Sequence, residues 1–400
     1  MNKVCILTSE ESFINNYGAA LQGYALNQTV EKMGYEPAVV KYRGGMPTPP
    51  PKFTGIRRVR ALLGRIKRRI FVKKSVRQKK ACERKYKKEI LLREEYFREF
   101  ARSNFRYTNS ERISWLALKD APPVADIYLC GSDQIWNPFF KAGRNDLGYF
   151  LDFAPADKPR IAYAPSFGCA ELPPPAKENI AELIAKFHAV SVREAAGQSI
   201  IKRETGRDVP VVADPTLLFT TQDWEAVEKK VDGLPEKYIL CYRFSDNPET
   251  KRNIDAISKT LGLPVVTLPL SVPALRDKGY QKVFCAGPAE FVWLIHHAEF
   301  VCTDSFHATV FSLLFHRPFA VFLRENFHNQ SSNMNSRIDN LLSIAELKDR
   351  VVAGPIDEDA LVSLTDVSFD AFEKNITELR SFSIDWLEKA LKKDKEQVKK

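Results

Sequence analysis

The first 42 residues contain VCIL at 4–7, GAALQGYALNQTVEKMG at 18–34 and AVVKY at 38–42. The two short runs are apolar and rich in β-branched residues, whereas the stretch between them has the length and periodicity of a helix that ends at Gly34. This order predicts a β-α-β unit, in which one crossover helix connects two parallel strands.

The same alternation of apolar strands and helices recurs further along the chain. One series has strands within 126–133, 160–168, 189–194 and 209–219, and a second has strands within 238–244, 264–270, 299–305 and 318–323. Such alternation predicts mostly parallel sheets covered by helices. We therefore predict an α/β protein with one domain at 1–219 and another at 220–368. An amphipathic stretch within 369–400 predicts a last helix that crosses back to the N-terminal domain.

Composition places the chain among globular proteins. Its 400 residues are 44% hydrophobic and 28% charged, which is enough apolar material for two ordinary cores. We find no signal-peptide core and no run near the roughly 18 apolar residues of a membrane span, so we expect a cytoplasmic protein. The seven cysteines form no CxxC pair, and we expect reduced core residues rather than disulfides or a thiolate metal site.

Positive charge is concentrated in residues 52–106. This segment holds 21 Lys or Arg against 5 Asp or Glu, whereas the whole chain carries a net charge of +10. Within 56–72 the apolar residues recur every three or four positions, which predicts a basic amphipathic helix, and a second helix near 79–102 can fold back onto it. The segment is thus a basic helical insertion in the N-terminal domain. Its apolar stripe packs either on that domain or on an anionic membrane surface.

Ligands of parallel α/β sheets bind beyond the carboxyl ends of the strands, so the segments that follow each strand contain the candidate site residues. Five are unusually polar or glycine-rich: 15–22, 131–138, 192–194, 214–216 and 303–307. The first offers helix N–H groups to an anion, and the second offers the flat face of Trp136 to a sugar. The ordinary alternatives are a helix cap, a buried Trp136, a surface salt bridge at Arg193 and a simple turn at Asp214.

The fifth segment reads Thr-Asp-Ser-Phe-His. Asp304 and Ser305 are good helix caps, so we expect them to place His307 in the first turn of a helix at the mouth of the domain crevice. A histidine there can act as general acid or base, although an isolated histidine is more often structural. His296 and His297 diverge by about 100° on a helix, and we therefore predict no histidine-based metal centre.

Seven motifs, in this order and over nearly the whole chain, resemble the polysaccharide pyruvyl transferase family. They are NNYGAALQGYAL (15–26), GSDQIWNP (131–138), YAPSFG (163–168), VREAAG (192–197), ADPTLL (213–218), TDSFHATVFSLLFHRPF (303–319) and NSRIDNLL (335–342). The resemblance implies a GT-B-like fold, with two Rossmann-like domains that face a cleft. It also implies transfer of a pyruvyl group from phosphoenolpyruvate to sugar hydroxyls of a cell-surface polysaccharide precursor, as a pyruvate ketal and without a further cofactor.

By the same resemblance, Arg193 matches the family's donor-binding arginine, and His307 matches the histidine of its Arg-Leu-His-like motif, which is proposed to be the acid. That motif reads Ser-Phe-His here, so its arginine is missing and Arg337 or Arg243 is the candidate replacement. We therefore expect a donor site of Arg193, Asp304, Ser305, Phe306, Arg337 and Arg243. We expect the acceptor side of the cleft to contain Asn16, Tyr17, Gly18, Gln22, Gly131, Ser132, Asp133, Trp136 and Asp214.

Two other functions fit parts of the sequence. A glycosyltransferase that uses a nucleotide sugar would share the fold, and a nucleic-acid-binding protein would use the basic segment. Against the second, the positive charge is local and the aromatic residues of the segment follow helix-packing positions. We therefore expect no nucleic acid. The expected partners are phosphoenolpyruvate and a lipid-linked sugar or oligosaccharide, which the protein would meet peripherally at the inner face of the membrane.

Deleting residues 56–72 tests the membrane interpretation. If the basic helix binds lipid, the deletion variant should lose co-sedimentation with anionic vesicles, and high salt should release the intact chain. Neutral vesicles serve as the control. Equal binding of the intact and shortened chains to anionic vesicles would contradict the interpretation.

Overall fold

Two parallel sheets form the frame of the molecule. The computed structural model describes residues 1–44, 80–324, 335–356 and 358–392. The first sheet consists of β1 (Lys3–Leu7), β2 (Glu36–Val39), β3 (Ile127–Cys130), β4 (Arg160–Ala162) and β5 (Ala189–Val190), in the spatial order β2-β1-β3-β4-β5. The second consists of β6 (Ile239–Tyr242), β7 (Val265–Thr267), β8 (Gln281–Lys282), β9 (Phe300–Thr303), β10 (Phe319–Phe322) and β11 (Val351–Val352), in the order β11-β10-β9-β6-β7-β8. Neighbouring strands of both sheets pair in parallel.

Helices cover both faces of each sheet, as the alternation in the sequence predicts. Before β6 they are α1 (Tyr17–Lys32), α2 (Lys87–Asn104), α3 (Trp115–Asp120), α4 (Pro174–Ala185), α5 (Ala195–Thr205) and α6 (Thr221–Glu225). After β6 they are α7 (Pro248–Leu261), α8 (Val272–Arg276), α9 (Pro288–His296), α10 (Phe306–Leu314), α11 (Ser336–Ala345), α12 (Glu358–Thr365) and α13 (Asp370–Lys392). Short 3₁₀ turns occupy Glu10–Ser12, Pro138–Lys141, Pro215–Leu217 and Lys348–Arg350. None of the described helices is long and apolar enough to cross a membrane.

Strand β1 shows why the strands read as uninterrupted apolar runs. Val4 and Ile6 belong to one hydrophobic cluster, whereas Cys5 and Leu7 belong to another. Successive side chains of a strand point to opposite faces, so both faces of β1 are buried. Parallel sheets that are covered on both faces have this composition.

The two halves of the molecule meet at Tyr17, the first residue of α1. Its ring stacks on Phe291 at 4.5 Å, and its hydroxyl donates a hydrogen bond of 3.0 Å to the carbonyl oxygen of Ala286. The ring is fully buried. Tyr17 therefore joins the two halves. The sequence had placed it in the cleft, and this prediction fails because its contacts come from a part of the chain that is distant in sequence.

Only part of the basic segment can be described. The predicted amphipathic helix at 56–72 lies outside the described residues. The second predicted helix is observed as α2, which buries Phe97 against Tyr17, with ring centroids 4.8 Å apart. Arg93 on the same helix donates hydrogen bonds to the side-chain oxygen of Asn15, at 3.0 Å, and to the carbonyl oxygen of Pro269, at 2.9 Å. Helix α2 thus contacts both halves of the molecule.

Helix α13 also joins distant parts of the chain. Ser383 Oγ accepts the backbone N–H of Ala213 at 2.9 Å, and Arg380 Nε donates to the carbonyl oxygen of Leu217 at 2.7 Å. Near its end, the carbonyl oxygen of Leu391 accepts the hydroxyl of Tyr35 at 3.0 Å. The helix therefore packs on segments between residues 35 and 217.

The cysteines are all free, but they are not all core residues as expected. Five are buried, whereas Cys82 is half-buried and Cys285 is exposed. Cys82 belongs to the basic segment and Cys285 to the stretch before α9, where no apolar strand surrounds them.

Candidate active site

His307 lies where the sequence places it, in the first turn of α10, directly after β9. The predicted cap is different, because Ser305 occupies the N-cap position but its side chain makes no capping hydrogen bond. The Asp304 carboxylate instead accepts the backbone N–H groups of Phe244 and Ser245, at 3.0 and 2.8 Å. Asp304 is thus a structural residue that ties the loop after β6 to the loop after β9.

The imidazole of His307 contacts the N-terminal half of the molecule. It lies against Gly18 of α1 so closely that a Cβ atom at residue 18 would be 2.0 Å from Nδ1. Its Nε2 is 3.8 Å from the Asp214 carboxylate and has no hydrogen-bond partner within the described part of the chain. The ring is therefore positioned by packing, and its Nε2 is left without a hydrogen bond among the described residues.

The surroundings of His307 favour its neutral form. Burial lowers the pKa of the ring below the ordinary value, and the nearby guanidinium groups of Arg193 and Arg337 act in the same direction. The carboxylates of Asp214 and Asp133 oppose this effect without reversing it. In the free protein His307 is thus a neutral base at neutral pH, and it becomes an acid only after it gains a proton.

Arg193 and Asp214 form a buried ion pair beside His307. Arg193 Nη1 donates to Asp214 Oδ2 at 2.6 Å, and the side chains are 3% and 0% exposed. The other Asp214 oxygen accepts the N–H and the hydroxyl of Thr216, at 3.0 and 2.7 Å. Although burial alone would raise the pKa of Asp214, Arg193 and His307 hold it below the ordinary value. Arg193 is therefore not in the surface salt bridge that the sequence left open, whereas Asp214 does cap the turn Pro215–Leu217 in addition to pairing with Arg193.

A second guanidinium lies near the ring of Phe306. The Cζ atoms of Arg193 and Arg337 are 4.8 and 5.6 Å from the centroid of this ring. Arg337 is only 8% exposed, and its Nη1 lies 3.8 Å from the Asp133 carboxylate. Burial and the charge of Arg193 lower the pKa of Arg337 to about 10. Arg337 Nε is buried without a hydrogen-bond partner in the described residues, so this donor lacks an acceptor.

The other candidate arginine, Arg243, is not available to a ligand. Its Nη2 donates to both oxygens of Asp277, at 2.9 and 2.8 Å, so the pair is a closed structural contact. Sequence reasoning missed Arg324, which follows β10, contacts the Asp304 carboxylate at 3.3 Å and covers the ring of Phe244 at 4.4 Å. Its position directly after a strand was the signal that could have identified it.

Five of the nine residues predicted for the acceptor side are structural. They are Tyr17, Gln22, Gly131, Ser132 and Trp136. Trp136 stacks on Phe150 at 4.7 Å and donates its indole N–H to Tyr149, so it offers no face to a sugar. Buried Gln22 accepts the N–H of Ser132 at 3.1 Å, which joins α1 to the loop after β3.

Gly131 and Ser132 hold the same loop from its other side. A Cβ atom at Gly131 would lie 1.9 Å from the carbonyl oxygen of Tyr163, and Ser132 Oγ donates to Ala164 at 2.7 Å. This loop presents Asp133 to Arg193 and Arg337, at 3.5 and 3.8 Å. Gly131 and Ser132 therefore support the loop that presents Asp133.

A cavity of about 400 Å³ opens next to this cationic cluster. It is lined by Ser9, Glu11, Ser12, Asn16, Asp133, Gln134, Ile135, Asn137, Phe140, Lys141 and Tyr149. Asn16 and Asp133 were predicted to line the cleft, whereas Phe140 and Lys141 were not. Phe140 is 59% exposed, an unusual state for a large apolar ring. The volume lies within the range of small-molecule sites.

Solved structures with the same architecture are two-domain sugar enzymes. UDP-GlcNAc 2-epimerase from Methanocaldococcus jannaschii is similar, with 13% identity and a TM-score of 0.50, over 92% of this chain and 93% of that one. A Listeria monocytogenes protein described as a candidate UDP-N-acetylglucosamine 2-epimerase has 11% identity and a TM-score of 0.53, over 99% and 97% of the chains. At these identities the likeness establishes the fold, which is GT-B-type with two Rossmann-like α/β domains.

The sequence assigns the family within this fold. The model of the polysaccharide pyruvyl transferase family matches residues 16–326, which is most of the chain, and the chain belongs to that family. The family resemblance is thus confirmed, although the match ends before the seventh motif at 335–342. No curated protein matches the sequence.

Replacing Gly18 with Ala should disturb the contact with His307. Alanine has a higher helix propensity than glycine by roughly 1 kcal/mol, but the overlap at 2.0 Å should cost about 1–3 kcal/mol, so we expect a net loss of stability. Urea unfolding measures the difference. Gly197→Ala in α5 is the matched control, because its added Cβ would be 3.3 Å from Val192. Equal stability of the two variants would show that His307 is not held by Gly18.

Proposed function

We propose that the protein transfers a pyruvyl group from phosphoenolpyruvate to two hydroxyls of a sugar in a cell-surface polysaccharide precursor, forming a pyruvate ketal. Membership of the polysaccharide pyruvyl transferase family supports the pyruvyl transfer. The donor assignment rests on one observation, the buried Nε of Arg337, which lacks a hydrogen-bond acceptor among the described residues. The phosphate and carboxylate oxygens of a small anionic donor would supply this acceptor.

His307 is the proposed acid. Its proton forms a C–H bond at the enol methylene of the donor, and C2 becomes oxocarbenium-like. One sugar hydroxyl attacks C2 and returns its proton to His307; the C2–O bond to phosphate then breaks while a second hydroxyl closes the ketal, and its proton leaves with the phosphate. Arg193 and Arg337 would bind the negative charge, and preorganised donors of this kind typically contribute about 3 kcal/mol each.

The cavity beside Asp133 suits the acceptor in this proposal. A sugar can stack one face on an exposed aromatic ring, and Phe140 provides such a ring where the sequence had suggested Trp136. Polar side chains around it, including Asn16, Gln134 and Lys141, can bond to hydroxyl groups. A lipid-linked sugar that enters this cavity would meet a donor bound at Arg193 and Arg337.

The direct test is an assay for the product. Purified protein is incubated with phosphoenolpyruvate and candidate lipid-linked sugars, and mass spectrometry should detect a pyruvyl ketal on the acceptor. The competing function is a glycosyltransferase, because the solved structures of this fold include enzymes of UDP-sugars. Stabilisation by a nucleotide sugar and not by phosphoenolpyruvate, together with sugar transfer, would establish that alternative instead.

Replacing Arg337 with Met separates ligand binding from stability. Without its donor Arg337 is a buried cation whose Nε has no hydrogen bond among the described residues, so its removal should not lower the melting temperature of the free protein. The stabilisation by phosphoenolpyruvate in a thermal-shift assay should disappear. Arg350→Met is the matched control, since Arg350 is equally buried but donates to the carbonyl oxygen of Ser363 at 2.8 Å.

The control should show the reverse of both effects, a lower melting temperature and an unchanged response to phosphoenolpyruvate. If Arg337→Met destabilises the free protein and keeps the response, Arg337 is structural and the donor assignment is wrong.

His307→Gln should lower phosphate release by roughly 10² or more in the presence of an acceptor, with the fold retained. Because His307 is neutral in the free protein and a bound anion would raise its pKa, donor binding should take up a proton and weaken as the pH rises. Calorimetry in two buffers of different ionisation enthalpy measures this uptake. Near-normal turnover, or the same proton uptake in His307→Gln, would remove His307 from the mechanism.

A further inference from the structure

A second group of titratable side chains lies outside the site described above. Glu228, His296 and His297 each offer one ligand atom, and these atoms lie within 4.8 Å of one another. His296 is the last residue of α9, His297 follows it, and Glu228 comes shortly after α6. It is the one such group of three His, Cys, Asp or Glu residues in the described ranges.

The end of the helix explains why the two histidines converge. On a continuous helix they would diverge by about 100°, which was the basis for predicting no histidine metal centre. Helix α9 stops at His296, and His297 has φ −101° and ψ 7°, outside the helical values. The two ring centroids are consequently only 4.6 Å apart. The premise of the prediction was therefore wrong.

Packing holds both rings in place. The ring of His296 stacks on Phe315, with centroids 4.3 Å apart and planes at 15°. The ring of His297 stacks on Trp293 at 4.3 Å and 19°. Rings that are already oriented lose little conformational freedom when they bind an ion.

Each ring makes one hydrogen bond through its Nδ1. His297 Nδ1 is 3.0 Å from the carbonyl oxygen of Trp293, so it carries the proton in this contact and Nε2 keeps a free lone pair. His296 Nδ1 is 2.9 Å from a Glu228 oxygen, a contact in which one proton is shared. On its other side, His296 Nε2 is 3.8 Å from Glu225. His297 thus has one nitrogen bonded to an oxygen acceptor and one without a hydrogen bond among the described residues, and such a bond orients imidazole ligands in metal sites.

We propose that Glu228, His296 and His297 bind a divalent transition-metal ion of the zinc class. Two imidazoles and one carboxylate are a ligand set that suits Zn²⁺, whose bonds to N and O are about 2.0–2.2 Å long. The ion replaces the proton between His296 and Glu228, and the exposed His297 closes the remaining gap. An open coordination position is left to water. The ion would join the end of α9 to the segment after α6 and so stabilise the fold, independently of the transfer reaction.

Calorimetry with ZnCl₂ on tag-free, chelator-treated full-length protein tests the proposal. We expect one site whose occupation raises the melting temperature, and His297→Gln should weaken binding at this site at least about 10-fold. His297 is the residue to change because it is exposed, so the variant should fold. His316→Gln is the matched control, since His316 pairs with Glu373 at 2.8 Å but has no second histidine beside it in the described structure.

Equal zinc affinity of the wild type and His297→Gln would overturn the proposal, as would the absence of a one-to-one site. Glu228→Gln provides a second, independent variant that should also bind more weakly. A loss confined to His316→Gln would place the bound ion elsewhere and would equally reject the assignment.

Discussion

The buried ion pair between Arg193 and Asp214 is the contact on which the geometry of the site depends. Its 2.6 Å bond has almost no access to water, and Thr216 saturates the second Asp214 oxygen. Removing one partner of such a pair typically costs 3–5 kcal/mol, because the other charge is left unpaired. The pair joins the segment after β5 to the 3₁₀ turn Pro215–Leu217, and His307 is positioned against it from the opposite half of the molecule.

The site is short of hydrogen-bond acceptors rather than of negative charge. Carboxylates of Asp133 and Asp214 already lie among the cations, but they are engaged by Arg193 or lie beyond hydrogen-bond distance of Arg337. The buried atoms of the site without a hydrogen bond among the described residues are the Nε groups of Arg193 and Arg337, the Nε2 of His307 and Glu194 Oε2, which lies 3.7 Å from Arg193 Nε. Buried donors without partners are expensive in a protein interior, so their convergence at one place is better explained by a ligand than by stability.

The sequence was sufficient for the fold, and it selected residues that the structure brings together. Apolar runs buried on both faces identify parallel strands, and the rule that ligands bind after such strands selects Arg193, Asp214 and His307. It failed where a side chain's role depends on partners distant in the chain. Tyr17 and Trp136 look like exposed aromatic residues in polar loops, yet Phe291 and Phe150 cover them. No local pattern reveals such a partner.

The arginines show the same limitation of the sequence, and the structure resolves it. Arg243 and Arg337 are comparable candidates in the sequence, because Arg243 directly follows β6 and Arg337 lies at the start of α11. In the structure, however, Asp277 pairs only with Arg243. The position at which the family motif has arginine is Ser305 here, next to Phe306. Arg337 lies over that same ring from α11, as Arg193 does from the segment after β5. A positive charge next to Phe306 is therefore supplied by a different element of the chain, which only the folded structure reveals and on which the proposed donor site rests.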